Sequence, residues 1–148
     1  MKPSPSNNPN ILLVDDNPDG LLVRRALLEG AGCSVQLACN GEEGLKFFES
    51  GTYDLVVTDY RMPRMNGMEL IERIRQRNPN ARIILLSGFV EPLGLTEANT
   101  GADAVIAKSA NEAAHLTRWV KRLLNRATAR KPPAAQRGSI TKKRAVAP

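Results

Sequence analysis

Leu55-Val56-Val57-Thr58-Asp59-Tyr60-Arg61-Met62-Pro63 is the stretch on which the reading of this chain turns. A run of apolar and β-branched residues ends in a carboxylate, and Tyr60 to Pro63 then break it, so Asp59 stands at the end of a buried strand. An acid there has an ordinary use as acceptor for the next turn. Three further runs change the odds: Ile11-Leu12-Leu13-Val14 ends in Asp15-Asp16, Ile83-Ile84-Leu85-Leu86 in Ser87-Gly88, and Ala104-Val105-Ile106-Ala107 in Lys108. As parallel strands of one sheet they would bring their carboxyl ends to one rim, where an open α/β sheet places its ligand crevice.

Helix signals lie between the runs. Asn17-Pro18 offers an N-cap and a Pro at the first helical position, with Val23, Ala26 and Leu27 as one apolar face before Gly30 and Gly32. Val35-Gln36-Leu37 alternates, as suits a strand at a sheet edge. Asn40 and Glu43 cap a short helix bearing Leu45 and Phe48 and closed by Gly51. A loop with Pro63 and Gly67 leads into a helix with Leu70, Ile71 and Ile74 that ends at Asn78-Pro79. Pro92 and Gly94 predict that the fourth helix, within residues 90–100, is short, late-starting or mobile. Ser109 and Glu112 fit a capping box for a last helix striped by Leu116, Val120, Leu123 and Leu124; His115 and Trp119 on it read as surface or packing residues. The alternation predicts an α/β, flavodoxin-like (βα)5 fold: a doubly wound parallel five-stranded sheet in the order 2-1-3-4-5.

Composition bounds the rest. A chain of 148 residues, 42% of them hydrophobic, fits one domain and a short appendage. The formal charge of +6 belongs to the C-terminal end: residues 126–148 hold seven Lys/Arg and no acid, leaving 14 basic against 15 acidic side chains before them. Residues 1–9 read as a flexible lead-in, 10–126 as the domain and 127–148 as a basic, disordered tail. No apolar run reaches about 18 residues and the N-terminus lacks the apolar segment of a secretory signal, so a cytoplasmic location is expected. Cys33 and Cys39 flank a strand that separates them by roughly 20 Å, beyond disulfide reach.

Asp15, Asp16 and Asp59 offer hard oxygen ligands at adjacent strand ends, an arrangement suited to one Mg²⁺ with positions left for water and phosphate. Each polar residue has a bland use when taken singly: Asp15 or Asp16 caps the first helix, Asp59 serves its turn, Lys108 is solvated and Ser87-Gly88 forms a turn. Taken together, Ile11 to Asp16, Thr58 to Pro63 with Gly67, Ser87-Gly88, Gly101-Ala102-Asp103 and Lys108 make the chain resemble the receiver domain of two-component response regulators, over roughly residues 10–125.

That resemblance implies that Asp59 accepts a phosphoryl group from a histidine kinase or a histidine phosphotransfer protein. It implies that Asp16, Asp59 and the backbone carbonyl of Arg61 ligate Mg²⁺ directly, with Asp15 acting through water. A carboxylate forms an acyl phosphate when metal and cation neutralise the transferring oxygens. Lys108 supplies the cation, Ser87 a hydroxyl donor, and Gly88 leaves space. Such a protein assists its own phosphorylation and dephosphorylation without being a turnover enzyme. The face made by the fourth helix, fifth strand and fifth helix is the family's usual site of change and the surface through which a homodimer would form; the downstream protein is left unidentified.

The sequence departs from the family pattern in three places. Val105 stands where an aromatic residue is common, Ser109 replaces the usual Pro after the Lys, and Arg61 and Phe89 occupy variable positions beside the site, where Phe89 is expected to shield the acyl phosphate from water. Val105 and Ser109 favour an alternative, a receiver-fold interaction module that works without phosphate. A phosphatase of the haloacid-dehalogenase type would need a second Asp two residues after the nucleophile, where Arg61 stands. The tail, with Lys142-Lys143-Arg144, reads as a solubilising extension or as a salt-sensitive contact for nucleic acid or an acidic protein face; it lacks the apolar residues of a membrane anchor. It also carries no reading element or core of its own, so output is expected to pass through a partner or the tail.

Overall fold

β-Branched and aliphatic runs with no polar face have to be covered on both sides, and a parallel sheet between two helix layers does this. The computed structural model describes residues 8–88 and 94–129, without the side chains of 126–129. The expectations for Phe89 and for the basic tail beyond residue 129 fall outside the described residues. Elements follow one another as β1 (Asn10–Val14), α1 (Pro18–Gly30), β2 (Ser34–Ala38), α2 (Gly41–Ser50), β3 (Leu55–Asp59), α3 (Gly67–Arg77), β4 (Ile83–Ser87), α4 (Glu97–Thr100), β5 (Ala104–Ala107) and α5 (Glu112–Ala129). All strand pairings are parallel, in the order β2-β1-β3-β4-β5, as expected.

Alternate residues of the central strands feed two cores. Ile11, Leu13, Val57 and Ile84 face the layer of α1 and α5, where they meet Leu28 and Leu116. Leu12, Val14, Val56 and Leu85 face the other layer and meet Leu70 and Ile74 of α3. β1, β3 and β4 are buried almost throughout, whereas both outer strands carry half-exposed residues. β5 reads as continuously apolar yet lies at the second edge, with Val105 half-buried and Ala107 exposed.

Several local signals act as written. Asn17 Oδ1 accepts from the Asp19 amide, Asn40 Oδ1 from the Glu43 amide, and α3 ends at the Asn78-Pro79 break. α4 is the short, late helix that Pro92 and Gly94 predict; it closes on Gly101, whose φ of 82° suits glycine. Asn66 and Glu69 add a reciprocal capping box on α3 that the sequence reading did not single out. The two cysteines are free, Cys33 buried and Cys39 exposed.

Two expectations need correction. On α1, Val23 is 69% exposed and Ala26 is also exposed; the buried stripe is Leu21, Arg24 and Leu28. The helix is rotated so that Arg24 faces inward, because two carboxylates from elsewhere in the fold receive it. The last helix begins at Glu112 rather than near Ser109. Glu112 does not close a capping box, since its carboxylate pairs with Arg24, and Ser109 Oγ instead accepts from the Asn111 amide at 3.2 Å.

Candidate functional site

The strand order sets the site. β1 and β3 are neighbours, so Asp15 and Asp16, just past β1, lie beside Asp59, the last residue of β3. One ligand oxygen from each of these three carboxylates falls within 4.8 Å of the others. β4 then brings Ser87, and the chain leaving β5 brings Lys108, whose amide donates to the Ser87 carbonyl at 3.1 Å. A cleft of about 260 Å³ is lined by Asp15, Asp16, Asn17, Asp59, Arg61, Ser87, Gly88 and Lys108. The acids, the hydroxyl and the amine singled out at the strand ends are therefore in one place, while Phe89 lies outside the described residues.

Exposure differs among them. Asp15, Asp59 and Ser87 are buried, Asp16, Arg61 and Gly88 are exposed, and Lys108 is intermediate. Lys108 Nζ lies 2.6 Å from Asp59 Oδ1. Burial pushes the Asp59 carboxyl above its usual pKa; the hydrogen bond from Lys108 opposes this, and the nearby charge of Asp15 adds to it. The backbone around Asp59 is fixed by the Tyr60 amide on the Leu86 carbonyl at 2.8 Å and by the Gly67 amide on the Tyr60 carbonyl at 2.7 Å. Gly67 is needed there for space: a Cβ would come within 2.5 Å of the Asp59 carbonyl oxygen.

The carboxylate cluster fits a small divalent cation in kind and spacing. All three donors are hard oxygens, and exposed Asp16 opens the site to solvent, which such an ion requires for its retained waters. Two cations already stand at the buried acids. Asp15 Oδ2 accepts from Arg24 Nη1 at 2.6 Å, and its Oδ1 accepts from the Asn17 amide at 3.0 Å. Arg24 also holds Glu112, the first residue of α5, through Nε at 2.6 Å. Burial works against the Arg24 charge, yet the bonds and charges of Glu112 and then Asp15 hold its pKa above the ordinary value. Neither Arg24 nor Glu112 was singled out for this site from the sequence; the available signal was a charge at position 24, in step with Leu21 and Leu28.

Gly101-Ala102-Asp103, part of the sequence pattern, lies away from this cleft. Asp103 accepts the Ile83 amide at 2.8 Å and pairs with Arg75, which also reaches the Gly101 carbonyl. Its role is to fix the start of β4 against the turn before β5.

Among known proteins, the family described as "Response regulator receiver domain" matches residues 11–120. The gliding motility regulatory protein of Myxococcus xanthus is 38% identical over 101 residues, covering 66% of this chain and 13% of that protein. The aerobic respiration control sensor protein ArcB of Escherichia coli is 33% identical over 116 residues, 76% of this chain and 15% of that protein. The chain thus spans less than a sixth of these relatives. The sensor histidine kinase GacS of Pseudomonas protegens is 42% identical over 71 residues, 48% of this chain and 8% of that protein. Among solved structures, the response regulator TrrA of Thermotoga maritima in complex with Mg²⁺-BeF superposes with a TM-score of 0.71 at 37% identity, covering 78% of this chain and 98% of that one. A receiver domain from Clostridium thermocellum gives 0.73 at 30% identity, covering 82% and 98%. Among the described residues, no helix is long and apolar enough to cross a membrane.

Proposed function

Since the chain belongs to the response regulator receiver domain family, we propose that it is a phosphorylation-dependent switch of a histidine-to-aspartate phosphorelay, with Asp59 as the acceptor. The observation that carries this reading is the 2.6 Å pair of Lys108 and Asp59 in a cleft that also holds Asp15, Asp16 and Ser87. An acid whose partner is a cation, beside two more acids, is arranged for a charge-dense group in transit.

In this mechanism the donor is a phosphohistidine of a histidine kinase or phosphotransfer protein. A carboxylate oxygen of Asp59 forms the new O–P bond as the P–N bond breaks, and that bond's electron pair stays with the donor imidazole. Lys108 turns from the carboxylate to the phosphoryl oxygens, where negative charge is spread in the transition state. Ser87 presents its hydroxyl from the end of β4, and Gly88 adds no side chain to that margin. Asp16, Asp59 and the backbone carbonyl of Arg61 would hold Mg²⁺, with Asp15 acting through water, and the ion would supply Lewis-acid neutralisation of the phosphoryl oxygens.

Support for the donor class comes from the likeness to sensor proteins, one of them named as a histidine kinase. The downstream partner is a protein that reads the α4-β5-α5 face, where Glu97 Oε2 accepts the outward Val105 amide at 3.1 Å. Half-buried Val105 at that place favours the second reading, an interaction module that works without phosphate. Beryllofluoride with Mg²⁺ separates the two by amide NMR. A switch shows large shifts around residues 59, 87 and 108 that spread to α4 and β5 and vanish in Asp59→Asn. A phosphate-independent module shows none.

A further inference from the structure

Arg24 takes no step in the chemistry above, yet it is the one buried basic side chain among the described residues. It bridges two acids from distant parts of the chain. Nη1 donates to Asp15 Oδ2 at 2.6 Å, while Nε and Nη2 donate to Glu112 Oε2 and Oε1 at 2.6 and 3.3 Å. Asp15 belongs to the acid cluster and Glu112 opens α5, the helix that follows Lys108. The fold keeps room for the bridge: a Cβ on Gly20, one helical turn before Arg24, would lie 2.9 Å from both Arg24 Nη1 and Asp15 Oδ2. A planar guanidinium serves two carboxylates at once in a way that a lysine ammonium does not reproduce.

We propose that Arg24 is a positioning residue that couples the acid site to the start of α5 by sharing its charge between Asp15 and Glu112. This rests on the receiver reading and deepens it. Both oxygens of Asp15 are engaged, one by Arg24 and one by the Asn17 amide, which holds the carboxylate in a fixed pose facing the cleft. Glu112 draws part of the guanidinium charge away from the cluster. A divalent cation in the cleft competes with Arg24 for Asp15, so its arrival shifts Arg24 toward Glu112 and tightens the first turn of α5. Linkage makes the effect reciprocal: weakening the Glu112 end commits Arg24 to Asp15 and opposes the metal.

The test is a double-mutant cycle read as Mg²⁺ affinity by calorimetry on the full chain, with thermal melts to confirm folding. Glu112→Gln is expected to weaken Mg²⁺ binding about fivefold. In the Arg24→Lys background the same substitution is expected to change nothing, because the bridge is already gone. Hydrogen exchange at the amides of residues 112–116 is expected to slow with Mg²⁺ in the wild type and not in Arg24→Lys. Should Arg24→Lys not fold, Gly20→Ala takes its place, since it crowds the bridge without removing a charge. Unchanged affinity in folded Glu112→Gln, or an equal loss with and without Arg24, overturns the coupling alone, provided that the wild type binds Mg²⁺ and Asp16→Asn does not. A wild type that binds no Mg²⁺ overturns the phosphorylation-switch reading along with it.

Discussion

Lys108 Nζ reaches Asp59 Oδ1 at 2.6 Å across the end of β4, since the two residues leave strands that are not neighbours. The long lysine stem makes that span possible, and Ser87 on the intervening strand lines the same cleft. Under the proposed switch, this ion pair neutralises Asp59 until a phosphoryl group brings more charge.

Removing that cation should slow phosphorylation more than it harms the fold. For Lys108→Met we expect Mg²⁺-dependent phosphorylation to fall about 100-fold, the usual effect of losing one group that stabilises transition-state charge. Single-turnover transfer from a small-molecule phosphodonor measures it; an unchanged rate removes Lys108 from the chemistry.

Asp59 is held at a cost to stability. Its folded pKa is raised, with burial as the leading cause, so between the ordinary aspartate value and the raised one the folded protein binds more protons than the unfolded chain. Stability therefore falls as pH rises through that window and stays lowered above it. In a chelator at pH 7, Asp59→Asn should be more stable than the wild type by about 0.5–2 kcal/mol, as is common when a functional group is removed. The gap should close as pH drops below the ordinary aspartate range. Urea unfolding at two pH values checks the sign, and a less stable Asp59→Asn at pH 7 contradicts it.

Metal should act in the opposite direction. Mg²⁺ at about 100 times its Kd is expected to stabilise the wild type by about 2.7 kcal/mol, and Asp16→Asn or a chelator should abolish the gain. A thermal melt with and without Mg²⁺ is sufficient; equal melting temperatures would show that the three carboxylates do not bind the ion.

Gly67 links packing to the site. A Cβ there would meet the Asp59 carbonyl oxygen at 2.5 Å, Leu85 Cδ1 at 2.7 Å and Tyr60 Cα at 2.9 Å, and two of these atoms belong to the backbone. Gly67→Ala should cost about 1–3 kcal/mol as an overpacked position, and Mg²⁺ affinity should fall because Asp59 moves. An unfolding midpoint equal to the wild type's argues against this close approach.

The sequence carries the sheet and the site well for one reason: both depend on what ends a run of apolar residues. Asp15, Asp16, Asp59, Ser87 and Lys108 are all legible as strand-end breaks, and parallel pairing alone brings them to one rim. Where two residues must meet through tertiary structure, local pattern is silent. Arg24 reads as a surface charge because Asp15 and Glu112, which permit its burial, lie in other elements. Glu112 has the spacing of a cap to Ser109, and only the packing of α1 against α5 reveals its other partner. β5 reads like a central strand because its exposed edge shows only in the half-buried Val105 and the exposed Ala107, neither of which is polar.

The most direct test of the switch itself is intact-mass analysis after incubation with acetyl phosphate or phosphoramidate, with and without Mg²⁺, for the wild type and Asp59→Asn. The expected result is a gain of one phosphoryl group that requires Mg²⁺ and is absent from the variant. No gain in folded wild type, with the donor replaced by a phosphorylated histidine kinase as well, would contradict it and leave a receiver fold that works without phosphate.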